Sequence, residues 1–190
     1  MKLKTFLLAI VLLVISSNVA SAGDWTFNIM GITPKHFEGR SWKIVVLGAV
    51  TSLAVHELGH LAWAHYHGGG HFDWDERAVI MDDYHNRSHG DQQMFHRAGF
   101  LAQLTVGSVL TAIPTTRHAD FTVGFSSLAA FEVATYVLFD HGDEDISDVR
   151  QLDHGAAEVT FYTVAAGTLS YINIKKPIEK ERENGRVQER

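Results

Sequence analysis

Residues 44–64 read IVVLGAVTSLAVHELGHLAWA. From Ile44 to Val55 there is no charge, and Thr51 and Ser52 are the only polar side chains. The apolar character runs on through His56-Glu57-Leu58-Gly59-His60 to Ala64. A helix of about twenty residues fits this pattern, a length that suits a bilayer core. Gly68-Gly69-Gly70 ends it, because three consecutive glycines do not hold a helix and the first can serve as its C-cap.

Working outward, three more apolar stretches follow: Gly99 to Pro114, Phe121 to Phe139 (broken only by Glu132) and Ala156 to Ile174. Each contains Gly, Ser or Thr, residues common where membrane helices pack closely. The expected fold is therefore all-α, a polytopic membrane bundle of about four helices. A soluble all-helical protein would need a polar stripe on each helix, and Ile44 to Val55 shows none. Residues 71–96 are strongly polar and read as an exposed loop, with a short strand at Ala78 to Met81. An acidic turn, Asp140 to Asp145, precedes the last stretch.

The N-terminus carries a targeting pattern. Lys2 and Lys4 precede the apolar run Phe6 to Ile15, and Ala20-Ser21-Ala22 offers a small-x-small cleavage site. Residues 1–22 are expected to be a signal peptide, or else a retained anchor. Residues 23–174 then form the membrane-embedded domain, and 175–190 a charged, solvated tail. The pattern points to a multi-pass protein of a bacterial inner membrane, with the lipid bilayer as its first partner. Topology stays open. After cleavage, four spans would leave the Lys/Arg-bearing tail outside, against the positive-inside tendency.

A formal net charge of -6 gives no basis for a nucleic-acid surface. The absence of cysteine excludes disulfides, thiolate metal sites and a cysteine nucleophile. A transition metal would have to be held by His, Asp or Glu, and twelve histidines are present.

His56-Glu57-Leu58-Gly59-His60 has the form H-E-x-x-H. Residues four apart share one helix face, so two imidazoles can reach one zinc ion at about 2.0–2.1 Å. Glu57, adjacent to His56, can approach a water on the ion without being a ligand, and can move its proton to a leaving amine. Ionisable groups in an apolar helix are costly unless satisfied, which favours a site over an incidental cluster. A catalytic zinc needs three protein ligands and an open position. Trp63 and Tyr66 stand where the extended metzincin pattern needs Gly and His, so that pattern is excluded. His65, His67 and His71 read as loop or interface histidines, although His67 lies almost two turns beyond His60. Asp143, Glu144, Asp145 and Asp148 are better third-ligand candidates. Asp145 is slightly favoured, since Ile146, Val149 and Leu152 then form one inward face; Asp145-Ile-Ser-Asp148 also reads as a helix cap. Glu132 is a further candidate, with a hydrogen-bonded core carboxylate as the alternative.

Together, Val55 to His60, Ala98-Gly99-Phe100-Leu101-Ala102-Gln103-Leu104 and an aspartate beside a later helix resemble the site-two protease family of intramembrane zinc metallopeptidases. The second segment resembles the family's A-G-P-x-A-N, with Phe100 in place of proline and Gln103 in place of asparagine. The resemblance covers roughly residues 44 to 155. It implies His56, His60 and either Asp145 or Asp148 as zinc ligands, Glu57 as general base and Gln103 as a contact to substrate backbone. It implies hydrolysis of a protein or peptide substrate within or beside the membrane. Two alternatives stay open: a soluble envelope zincin-like hydrolase, and a non-catalytic membrane protein with a structural metal or histidine site.

Overall fold

The apolar segment centred on His56 forms one unbroken helix, α1 (Trp42–Tyr66). The computed structural model describes residues 36–75, 78–139 and 155–175. After α1 come two short strands, β1 (Gly70–Asp73) and β2 (Ala78–Met81), then α2 (His89–Ala112), α3 (Asp120–Phe139) and α4 (Gly155–Ile174). The expected helical class and the four helices are present among the described residues. Of these, α1 is the one long and apolar enough to cross a membrane. The expected signal segment, the acidic turn with Asp145 and Asp148, and the tail beyond Lys175 lie outside the described residues.

The glycine triplet ends α1 as its chemistry requires. His67 is the C-cap, and Gly68 and Gly69 take φ of 119° and 125°. Gly69 N–H donates to Ala64 O at 2.9 Å, the six-to-one bond of a Schellman ending. The chain then turns into an antiparallel hairpin, with Gly70 opposite Met81 and Asp73 opposite Ala78. Val79 and Met81 point inward and join Ala64 and Phe95 in a small core.

The expected loop of residues 71–96 is corrected in two places. Its first part is the hairpin, of which only the Ala78–Met81 strand was anticipated. Its last part is already helix: α2 starts at His89, ten residues before the apolar stretch begins at Gly99. The reason is local. Ser88 accepts the Asp91 backbone N–H, a cap that starts a helix whose first turn is polar and exposed or half-buried.

α1 packs on α3 and α2 through glycines. A Cβ on Gly48 would collide with the Phe121 carbonyl, and one on Gly124 with the Val45 carbonyl. Gly59 meets the Ala98 carbonyl of α2 in the same way. The helix backbones therefore touch, as small residues permit. Replacing Gly124 by Ala should destabilise the bundle by about 1–3 kcal/mol or more, since the methyl meets backbone and neither helix yields without the other. Denaturant titration in micelles measures this. Gly167→Ala is the control, because its Cβ would meet nothing within 4 Å, and its stability should hold or rise slightly.

The bundle is tied off by two charged clusters. Arg40, just before α1, donates to Asp120 Oδ1 (3.1 Å), to His118 O (3.2 Å) and to Ile174 O (3.4 Å), joining α1, α3 and the end of α4. Arg97 on α2 grips Glu158 on α4 through two bonds of 2.8 and 2.6 Å. Such a planar fork adds geometric specificity as well as energy.

Candidate metal centre

The buried stripe of α1 is Val45, Gly48, Ala49, Ser52, His56, His60 and Ala64, a three-to-four-residue spacing that brings both motif histidines to the bundle interior. Their Nε2 atoms face each other at 2.9 Å. Two imidazoles on one tetrahedral ion at about 2.0–2.1 Å would stand roughly 3.3 Å apart, so the pair needs to open by less than about half an ångström.

The other nitrogens decide what the Nε2 atoms can do. His60 Nδ1 lies 2.7 Å from the Phe95 carbonyl, which only accepts, so this nitrogen carries the hydrogen. His56 Nδ1 lies 3.2 Å from Gln103 Oε1 and 3.5 Å from Glu132 Oε1. The Gln103 amide is oriented by its nitrogen, which donates to Ser52 O (3.1 Å), Ser52 Oγ (3.2 Å) and Glu132 Oε2 (2.8 Å). Its oxygen therefore faces His56, whose Nδ1 is also a donor. Both Nε2 atoms are then left with lone pairs directed at one another. That is repulsive unless a cation or a shared proton lies between them.

The space beside the pair comes from α2. A Cβ on Gly99 would sit 2.5 Å from His60 Nε2 and 2.6 Å from His56 Nε2. Glycine here leaves open the volume that both donors address. Aromatic rings close the sides: Phe100 meets His56 edge-on at 4.9 Å between centroids, and Phe95 tilts against His60 at 5.0 Å. Phe100, in the position where the family segment has proline, also stacks on Tyr162 of α4 at 5.0 Å.

Glu57 is half-buried, one residue round the helix from His56. Gln103 is buried and its amide is engaged at both ends by protein groups, a setting that differs from the substrate contact implied by the family resemblance. Glu132 is buried on the Nδ1 side of His56, away from the facing Nε2 atoms. Of the two readings of this carboxylate, the arrangement matches the hydrogen-bonded one. The neighbouring histidines are elsewhere. His67 stacks on Trp63 at 4.0 Å and pairs with Asp91 at 3.2 Å, and His71 pairs with Asp82 at 3.1 Å. Among the described residues no group of three or more His, Asp or Glu side chains gathers as a ligand set. Asp145 and Asp148 lie outside them.

Sequence reasoning missed the backing of His60 by the Phe95 carbonyl and the place of Ser52 in the network. Backbone acceptors leave no trace in a side-chain pattern. No protein-family model, curated protein or solved structure matches the chain.

Proposed function

We propose that the chain is a membrane-embedded zinc endopeptidase of the site-two protease type. The observation that carries this is the pair of His56 and His60 Nε2 atoms, 2.9 Å apart above the space left by Gly99. His56 and His60 would hold the ion, with Asp145 or Asp148 as third ligand. When bound, zinc supplies the Lewis acidity that activates a water and polarises a scissile carbonyl. Glu57 takes the proton of the attacking water and returns it to the leaving amine. Buried Phe100 and Phe95 keep bulk water from the flanks of the histidines, which strengthens the electrostatics of the site.

Membrane embedding is supported by polar side chains inside the bundle together with large apolar ones outside it. The inside of the bundle holds Ser52, Gln103, Thr111, Thr122, Ser126, Glu132 and Asn173. The outside shows Leu47 (57% exposed) and Leu58 (58%) on α1, and Phe161 (60%) and Val164 (62%) on α4. Lipid accepts that arrangement. In this reading α1 crosses the bilayer, and α2, α3 and α4 are embedded beside it with Gln103, Thr111, Thr122, Ser126, Glu132 and Asn173 turned inward. The substrate is a protein or peptide segment that reaches the site within or beside the bilayer.

The test is metal content of the full chain purified in detergent. Wild type should hold about one zinc per chain, the stoichiometry of a mononuclear site. His56→Ala should hold none, and one of Asp145→Ala and Asp148→Ala should lose it too, which names the third ligand. A wild type without zinc, or a His56→Ala variant that keeps it, would overturn the reading.

A further inference from the structure

Glu132 is the one charged residue in the apolar stretch from Phe121 to Phe139. It is buried on α3, and two donors face it: Gln103 Nε2 at 2.8 Å from Oε2, and His56 Nδ1 at 3.5 Å from Oε1. The Nδ1 of His60 is met by a backbone carbonyl. The two histidines of the pair are thus backed differently, one by a neutral dipole and one by an amide and an acid together.

Resting on the zinc reading above, we infer that Glu132 is a positioning residue that acts through His56. It acts by two routes. Its Oε2 accepts from Gln103, which holds the amide so that Oε1 meets the His56 Nδ1 hydrogen. Its Oε1 places negative charge behind the same ring. Both effects hold the proton on Nδ1, leave Nε2 as the donor and make it a stronger one. An acceptor behind a ligating imidazole fixes its tautomer and raises its basicity, and losing it costs about 10–100-fold in metal affinity. The burial of an acid here is otherwise unfavourable, because an apolar isostere on α3 would need no partner.

The placement also explains the three-helix composition of the site. α1 supplies the donors, α2 supplies the open space and the amide, and α3 supplies the charge. Gly48 and Gly124 bring α3 against α1, and that approach lets a side chain as short as Glu stand behind His56.

The experiment measures zinc affinity of the metal-stripped full chain in detergent, by competition with a chromophoric chelator. Three proteins are compared: wild type, Glu132→Gln, and the exchange variant Gln103→Glu/Glu132→Gln. The exchange keeps one acid and one amide but swaps their positions, so a carboxylate again faces Nδ1. Glu132→Gln should bind zinc about 10–100-fold more weakly than wild type, and the exchange variant should recover most of that loss. The visible spectrum of the cobalt-loaded proteins should shift in Glu132→Gln and return in the exchange variant. A purely structural role for Glu132 predicts no such recovery. Equal zinc affinity of wild type and Glu132→Gln overturns the inference while leaving the zinc site intact. A lowered zinc affinity with an unchanged cobalt spectrum also overturns it. A wild type that binds no zinc removes the zinc reading, and this inference with it.

Discussion

Replacing Glu57 by Gln is expected to lower peptide-bond hydrolysis by roughly 10²–10⁴-fold, the usual contribution of a general base, and to leave the zinc content unchanged. The substitution keeps the volume of the side chain and removes its ability to take a proton. Glu57 is half-buried and lies one position from His56, so it shares the helical turn of the ligands without lying on their shared stripe. Gln103 and Glu132 hold His56, and the Phe95 carbonyl holds His60. These contacts stay in place when Glu57 becomes Gln. The assay is cleavage of casein or of a single-span model peptide in mixed micelles, read beside metal content on the same preparation. A Glu57→Gln protein as active as wild type would remove Glu57 from the chemistry. One that also loses zinc would give Glu57 a part in metal binding.

The helices were legible in the sequence wherever burial and apolar character coincide. α1, α3 and α4 end within about two residues of the stretches that announced them, the ordinary scatter of helix boundaries. α2 departs from this because its first nine residues include His89, Asp91, Gln92, Gln93, His96 and Arg97. A reading based on apolar runs passes over such a start, although Ser88 and Asp91 at cap spacing mark it. β1 was hidden for a different reason. Gly70-His-Phe-Asp73 has no strand composition of its own, and it is extended because β2 pairs with it. Number of membrane crossings is not a property that apolar stretches alone can give, since among the described residues only α1 combines the required length and hydropathy.

At the site, spacing revealed the His56–His60 pair, because a helix turns i and i+4 to one face whatever surrounds it. The roles behind the pair depend on tertiary contacts. Gln103 is 47 positions from His56 in the chain, and Glu132 is 29 positions from Gln103. A lone acid in an apolar helix says that a partner exists and not which one. The same spatial dependence separates Gln103 in place, with its amide fully engaged, from an amide free to meet substrate.

Gly99→Ala is expected to lower zinc affinity by roughly tenfold to a hundredfold without unfolding the chain. The added methyl would stand 2.5 Å from His60 Nε2 and 2.6 Å from His56 Nε2, closer than any carbon tolerates. Something must shift, and the helix is not the part that suffers: alanine is the better helix former by about 1 kcal/mol. The rings must move instead. They are anchored at the far side by the Phe95 carbonyl and Gln103, and Phe95 and Phe100 stand against their faces and edges. The methyl also occupies volume that the ion would use. Overpacking of this kind costs about 1–3 kcal/mol. In the metal-free protein the two rings can relieve it by swinging apart, and with the ion they cannot. The cost then falls on binding, where every 1.4 kcal/mol is about tenfold. Gly107→Ala on the same helix is the control, because its Cβ would first meet Leu169 Cδ1 at 3.4 Å, an ordinary contact. Chelator competition on the two variants, with melting of both metal-free proteins as the check on folding, separates steric exclusion from general damage. A Gly99→Ala protein that binds zinc as tightly as wild type would mean that the ion does not lie between the two Nε2 atoms, and the pairing of His56 and His60 would need a shared proton rather than a metal.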